Sequence, residues 1–196
     1  MRAALLFIAA LAGCSSTSSS PPWLADAHIA VLGNGVDNHD CRSAICKHNE
    51  NTDLVVWHGD VWLVHRTAES QMLGPNSALH VYRYTHGAFV ETARIEAPTD
   101  RDIRDPHFYV VGDELRIKAL ARLPVVSLRD SDVDTVALGT ATSDGASFSP
   151  WAEIGPHTWS FWRLKQSPAG EWLTAAYQDG DQSVVLYRST DGVTFM

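Results

Sequence analysis

Asp53-Leu-Val-Val-Trp-His-Gly-Asp-Val-Trp-Leu-Val-His-Arg66 is a short apolar run, a tight turn at Gly59 and a second apolar run. The form returns in Asp105-Pro-His-Phe-Tyr-Val-Val-Gly-Asp-Glu-Leu-Arg-Ile-Lys118, turning at Gly112. It returns again in Arg163-Leu-Lys-Gln-Ser-Pro-Ala-Gly-Glu-Trp-Leu-Thr-Ala-Ala176, turning at Gly170. The turn glycines are spaced by 53 and 58 residues. A second hairpin interleaves with the first. Ala78–Phe89, Val136–Phe148 and Val184–Phe195 each run as a strand, a polar turn at Gly87, Gly145 or Gly192, and an aromatic residue soon after. Asp-Gly between alternating apolar residues marks a hairpin, because glycine takes positive φ freely and aspartate bonds the turn backbone. Two hairpins per repeat make four strands, and a strand repeat of about 50 residues reads as a propeller blade. The expected fold is therefore all-β, a β-propeller of four-stranded blades. Three matching copies favour it over a β-sandwich with coincidental turns. Apolar residues alternate with period two throughout, with no amphipathic helix.

The repeats lie at about 53–98, 105–156 and 159–196. That is about three blades, an incomplete ring, since closed propellers use about four to eight. The expectation is a truncated member of a five- or six-bladed parent, with self-association into a ring as the alternative. Residues 24–50 form a lead-in to the 24–196 propeller region and hold one candidate strand, His28–Leu32. Glu69–Ser77 and Ala119–Asp134 are predicted loops in matching slots of the first two blades, where loops shape a pocket.

The N-terminus predicts the compartment. Met1-Arg2 precedes an apolar run, Ala3–Ala12, too short to span a bilayer. Leu11-Ala12-Gly13-Cys14 matches a bacterial lipobox, so residues 1–13 read as a lipoprotein signal and Cys14 as the lipidated residue. Residues 14–23, rich in serine and proline, read as a tether. The expected place is the bacterial cell envelope, lipid-anchored on the periplasmic side of the outer membrane or at the cell surface. Cys41 and Cys46 then suggest a disulfide, ahead of two free thiols or a metal site with His39, Asp40 and His48. The net charge is −8, and loss of Arg2 with the signal raises the acidic excess by one. A phosphate-neutralising face for nucleic acid is not expected, and no phosphate loop or nucleophile elbow appears.

Superposed at the turn glycines, Asp53 lies six residues before Gly59, Asp105 seven before Gly112 and Arg163 seven before Gly170. These positions are expected to begin the innermost strand of each blade and to converge on the axis. Asn51, Thr52, Arg101, Asp102 and Arg104 add polar neighbours, and Trp159 and Trp162 stand beside the third copy. Arg66 and Glu69 come from the ends of the hairpin strands. Carboxylates beside arginines with aromatic walls suit a sugar, since guanidinium binds planar oxygens bidentately and tryptophan stacks on a ring face. Asp53 and Asp105 are the catalytic candidates; Arg66, Glu69, Arg104, Trp162 and Arg163 are the substrate-binding ones. Plainer roles compete. Asp105 before Pro106 can simply cap a loop, and Arg104 and Arg163 can be inter-blade ion pairs with Asp102 or Asp53. Trp57, Trp62, Trp172 and Phe108 read as core, and the Asp-Gly turns as structural. The nine histidines form no ligand pair with a carboxylate helper, so neither metal nor cofactor is expected.

The Asp102-Ile-Arg-Asp-Pro-His-Phe108 run resembles the Arg-Asp-Pro motif of invertase- and arabinanase-like five-bladed glycosidases. That resemblance implies a transition-state role for Asp105 and a nucleophile or base role for Asp53. The third-blade glutamate acid of those enzymes is replaced here by Trp162-Arg163. A denser resemblance, over about residues 48–196, is to bacterial sialidase-like propeller proteins. It rests on His48-Asn49 with Thr52-Asp53-Leu54, Arg66 with Glu69, Ile103-Arg104-Asp105-Pro106, Trp159-Ser-Phe-Trp-Arg163, and the turns Ser143-Asp-Gly145 and Ser189-Thr-Asp-Gly192. Ser189-Thr-Asp-Gly-Val-Thr-Phe195 matches the Asp box of that family in degenerate form. The resemblance implies a glycan partner and glycosidic bond hydrolysis, with Arg66, Arg104 and Arg163 imitating an arginine triad; the family's tyrosine nucleophile would fall beyond Met196. The alternative is a non-catalytic carbohydrate-binding propeller or an inactive fragment.

Overall fold

The computed structural model describes residues 40–71, 76–123, 134–178 and 183–196. The signal, Cys14, the tether and His28–Leu32 lie outside them. The described residues form strands and turns without a helix. The first sheet is β1 (His48–Trp57), β2 (Asp60–Ala68), β3 (Ala78–Thr85) and β4 (Ala88–Glu96), antiparallel in chain order. The second repeats it with β5 (Asp102–Val111), β6 (Glu114–Arg122), β7 (Thr135–Thr142) and β8 (Ala152–Glu153). In the third sheet the innermost slot is divided between β9 (Trp159–Phe161) and β10 (Lys165–Gln166). Both pair with β11 (Trp172–Gln178), which pairs with β12 (Val184–Ser189). A further ladder starts where Met196 and Arg188 exchange backbone hydrogen bonds at 2.9 Å. The chain is thus an all-β propeller with three blade-like sheets.

The hairpins follow from local chemistry. His58-Gly59 and His86-Gly87 both carry positive φ, the type I′ pattern that matches strand twist. The outer turns of the second and third sheets share one wiring. Asp144 accepts the N–H groups of Ala146 and Ser147 and the Thr142 hydroxyl; Asp191 accepts those of Val193, Thr194 and Ser189. These bonds hold both carboxyls at about 2.

Alternation along each strand gives every sheet two faces. Trp57, Trp62, Val64, Leu79 and Val81 of the first sheet pack on Ile103, Phe108, Leu115, Ile117 and Ala119 of the second. The opposite face of the second sheet, with Tyr109, Leu120 and Ala137, packs on Phe161, Leu164, Trp172, Ala176 and Phe195. The tryptophans and Phe108 expected in the core are buried there. Cys41 and Cys46 form a disulfide, with S–S 2.07 Å and Cα–Cα 5.3 Å. Its loop is pinned to the first sheet, where Cys46 N donates to Thr67 Oγ1 at 2.8 Å and Arg94 donates to Ser43 O at 2.6 Å.

Candidate functional site

The innermost strands begin earlier than the sequence suggested, at His48, Asp102 and Trp159, and each is interrupted. Register breaks between Glu50 and Asp53, and between Arg104 and His107. Each break is a bulge whose first residue, Asn51 or Asp105, is left-handed, with φ of 55° and 47°. Asparagine and aspartate tolerate that region better than other side chains. In the third sheet the matching interruption is Trp162-Arg163-Leu164, between β9 and β10. By strand register the equivalent of Asp53 is His107, and that of Asp105 is Asn51. Alignment on the turn glycines is off by one residue, because the first turn, His58-Gly59, carries its glycine second and the second turn, Gly112-Asp113, carries it first; pairing Asp53 with Asp105 is off by two.

The two bulges and the interruption in the third sheet bring the expected trio together. Arg163 Nη1 lies 2.9 Å from Asp53 Oδ1 across two sheets. Asp53 Oδ2 accepts the Phe108 N–H at 2.9 Å, with His107 Nδ1 3.6 Å away. Asn51 donates to Asp105 Oδ1 at 2.5 Å. Burial pushes the Asp53 carboxyl up, but the His107 ring, the Phe108 N–H and Arg163 together hold it below the usual carboxylate range. Asp53 is therefore an ionised, buried anchor, whereas Asp105 is only partly buried. Trp162 is 55% exposed beside this cluster and lies against Tyr177, ring centroids 5.8 Å apart.

Two residues join that sequence reading had not assigned to the site. His107 stands where the first sheet has Asp53. Lys118, on β6 and fully buried, donates to Phe161 O at 2.5 Å and Asp105 O at 3.4 Å. It thereby ties the second bulge to the third. Burial drives its ammonium down to about 7; Asp105 pulls it back up, Arg163 adds to the fall and Asp53 opposes it. A charged residue at the centre of an apolar strand, Leu115–Ala121, was the available signal.

Arg66 and Arg104 belong to a different cluster. Arg66 is fully buried, and its guanidinium donates to Asp102, Ile103 O, Glu50 and Ser70 O at 2.8–3.2 Å. With every guanidinium nitrogen engaged inside the protein, it is not offered to a ligand. This corrects its assignment as a substrate clamp: it joins the first sheet to the second. Arg104 binds the other side of Asp102 at 2.7 Å. Glu69 is exposed just past the end of β2. Among the described residues no group of three His, Cys, Asp or Glu is placed to hold a metal ion.

No protein-family model matches the sequence, and none of the curated proteins does. Solved structures do resemble it. A Hadza microbial sialidase superposes with a TM-score of 0.59 at 14% identity, over 76% of this chain and 37% of that one. An α-L-arabinofuranosidase from Fusarium graminearum gives 0.58 at 11% identity, over 74% and 48%. An N-acetylgalactosamine deacetylase from F. plautii gives 0.56 at 13% identity, over 76% and 51%. The chain spans about half or less of the length of these structures. At such identities the likeness shows the fold, a propeller of the kind found in glycoside hydrolases.

Proposed function

We propose that this chain is a glycan-acting propeller that binds a sugar at the meeting point of its bulges and hydrolyses its glycosidic bond. The carrying observation is the convergence of Asp53, Asp105 and Arg163 from three sheets beside an exposed tryptophan. In this reading Trp162 is the platform for a sugar face, and Arg163, held by Asp53, presents its remaining N–H groups to hydroxyl or carboxylate oxygens. Asp105, steadied by Asn51, is the carboxylate nearest the ligand and acts on the leaving group or the attacking water. Release of a fluorescent leaving group from a panel of aryl glycosides, sialosides included, tests it. Turnover should fall at least a hundredfold in Asp105→Asn, on the order expected for loss of a proton-transferring group.

A second reading is favoured by one observation. Asp53, the other carboxylate, is buried and ion-paired, and the third sheet supplies Arg163 rather than an acid. That arrangement suits binding without hydrolysis. Glycan binding that is lost in Trp162→Ala, together with no turnover of any substrate, would establish it in place of the hydrolase. The lipobox further supports a lipid anchor at Cys14 and an envelope location. Incorporation of a labelled fatty acid that disappears in Cys14→Ala tests that part separately.

A further inference from the structure

Hydrolysis by one displacement needs two proton-handling groups, and Asp105 can serve as one of them. Few side chains around it qualify as the other. Asp53 is kept ionised by its neighbours. Arginine does not release its proton in proteins, which excludes Arg163. Lys118 is sealed in on two backbone carbonyls. His107 has none of these obstacles. Its Nδ1 is buried without a hydrogen bond, 3.6 Å from Asp53 Oδ2. Its Nε2 also makes no hydrogen bond among the described residues, and it is the nitrogen left open on a side chain that is 14% exposed. The two nitrogens of an imidazole point well apart, so Nδ1 faces the buried carboxylate and Nε2 faces away from it. The other oxygen of that carboxylate holds Arg163, itself 51% exposed, at 2.9 Å. One buried acid therefore sets an imidazole and the guanidinium assigned to the sugar side by side.

Given the hydrolase reading of this site, on which the step rests, we propose that His107 is its general acid and Asp53 the carboxylate that orients it. Protonated on both nitrogens, the ring donates Nδ1–H to Asp53 and Nε2–H to the leaving oxygen. As the bond between that oxygen and the anomeric carbon breaks, its electron pair takes the Nε2 proton. A water oxygen bonds to the anomeric carbon and gives a proton to Asp105, whose Oδ2 makes no hydrogen bond among the described residues. Asp105 then loses that proton to solvent and His107 regains one, so water is the only reactant consumed besides the glycoside. The separation of 3.6 Å suits such a pair, since catalytic hydrogen bonds are often long before substrate binds and tighten with it. A third group that orients the proton carrier is the usual support for a histidine in this role.

Aryl glycosides that differ only in the leaving group test this with the full chain. A dinitrophenolate leaves without a proton, whereas a phenolate needs one. In His107→Ala, kcat/KM should fall about a hundredfold on the phenyl glycoside and less than about tenfold on the dinitrophenyl one, the range of a general acid's contribution. Asp53→Asn should show the same selectivity in kcat, which mere loss of the hold on Arg163 would not produce. Asp105→Asn should slow both substrates alike, because water activation is needed for each. If His107→Ala loses the parent's circular dichroism, His107→Gln takes its place. Equal loss on both glycosides in the His107 variant, or no loss, overturns the proposal; a selective loss in Asp105→Asn instead would make Asp105 the acid and leave the hydrolase reading standing. A parent that turns over no glycoside overturns both.

Discussion

Lys118 directs its ammonium at two backbone carbonyls, with Asp105 and Asp53 acting on it from nearby. Its folded value of about 7 lies below the 10.5 of the unfolded chain. Between those values the unfolded state binds the extra proton, so this group makes stability rise with pH across the window; below about 7 the burial penalty is present in full. The unfolding free energy of the parent, read from denaturant midpoints at each pH, should therefore climb relative to Lys118→Met from pH 7 toward pH 10, with a slope of up to about 1.4 kcal/mol per pH unit. Parallel profiles would show that the lysine is not titrating there. Arg66 makes a contrasting case. Its truncation to Ala takes from Asp102 and Glu50 their fully buried partner in the inter-sheet seam, leaving Asp102 to Arg104 and Glu50 to His48, and should cost about 3 kcal/mol in denaturant unfolding. Neither role was legible in the sequence. Arg66 and Arg163 look alike there, and only the packing of the second sheet decides which one is sealed in. The convergence of Asp53 with Arg163 was foreseeable, because both flank the same turn in repeats that share an axis.

Hairpins are the elements that local chemistry dictates, and they were legible for that reason. Gly59, Gly87, Gly112, Gly145, Gly170 and Gly192 all sit at positive φ. Bulges are not local: they arise when two residues of one strand face one of its partner, and the partner's register is unknown until the sheet forms. So the innermost strands were expected to start at Asp53, Asp105 and Arg163, where they are instead interrupted. The two glycine classes can be separated by experiment. A methyl group added to Gly87, at φ +82°, would meet nothing within 4 Å, whereas a Cβ on Gly145 would sit 2.0 Å from Trp62 Cη2. Gly87→Ala should cost about 1 kcal/mol of left-handed strain. Gly145→Ala should cost a further 1–3 kcal/mol, roughly the overpacking range, because it pushes the outer hairpin of the second sheet off the first. Urea midpoints of the two variants check the difference, and equal midpoints would mean that Trp62 moves aside freely.

Three sheets whose apolar faces pack only on their neighbours', with the Arg163–Asp53 ion pair as a direct link from third to first, form a nearly one-dimensional stack, whose stability is close to the sum of sheets and junctions. The junction between second and third sheets is concentrated on Phe161, fully buried against Phe195 and Tyr187 and so close to Gly155 that a Cβ there would meet its ring at 2.3 Å. The third sheet is also the weakest by itself, with its innermost strand split and its outer strands short. Phe161→Ala should remove about 3–5 kcal/mol, and the loss should fall unevenly. Amide hydrogens of β11 and β12 should exchange at rates set by opening of the third sheet alone, while those of β2, β3 and β6, secured by the first junction, keep most of their protection. Hydrogen exchange read by mass spectrometry resolves this segment by segment. Equal loss of protection in β2 and β11 would instead show that both junctions break together. The convergence of the bulges would then be stabilised by the whole stack, and the site would be lost with any one of its sheets.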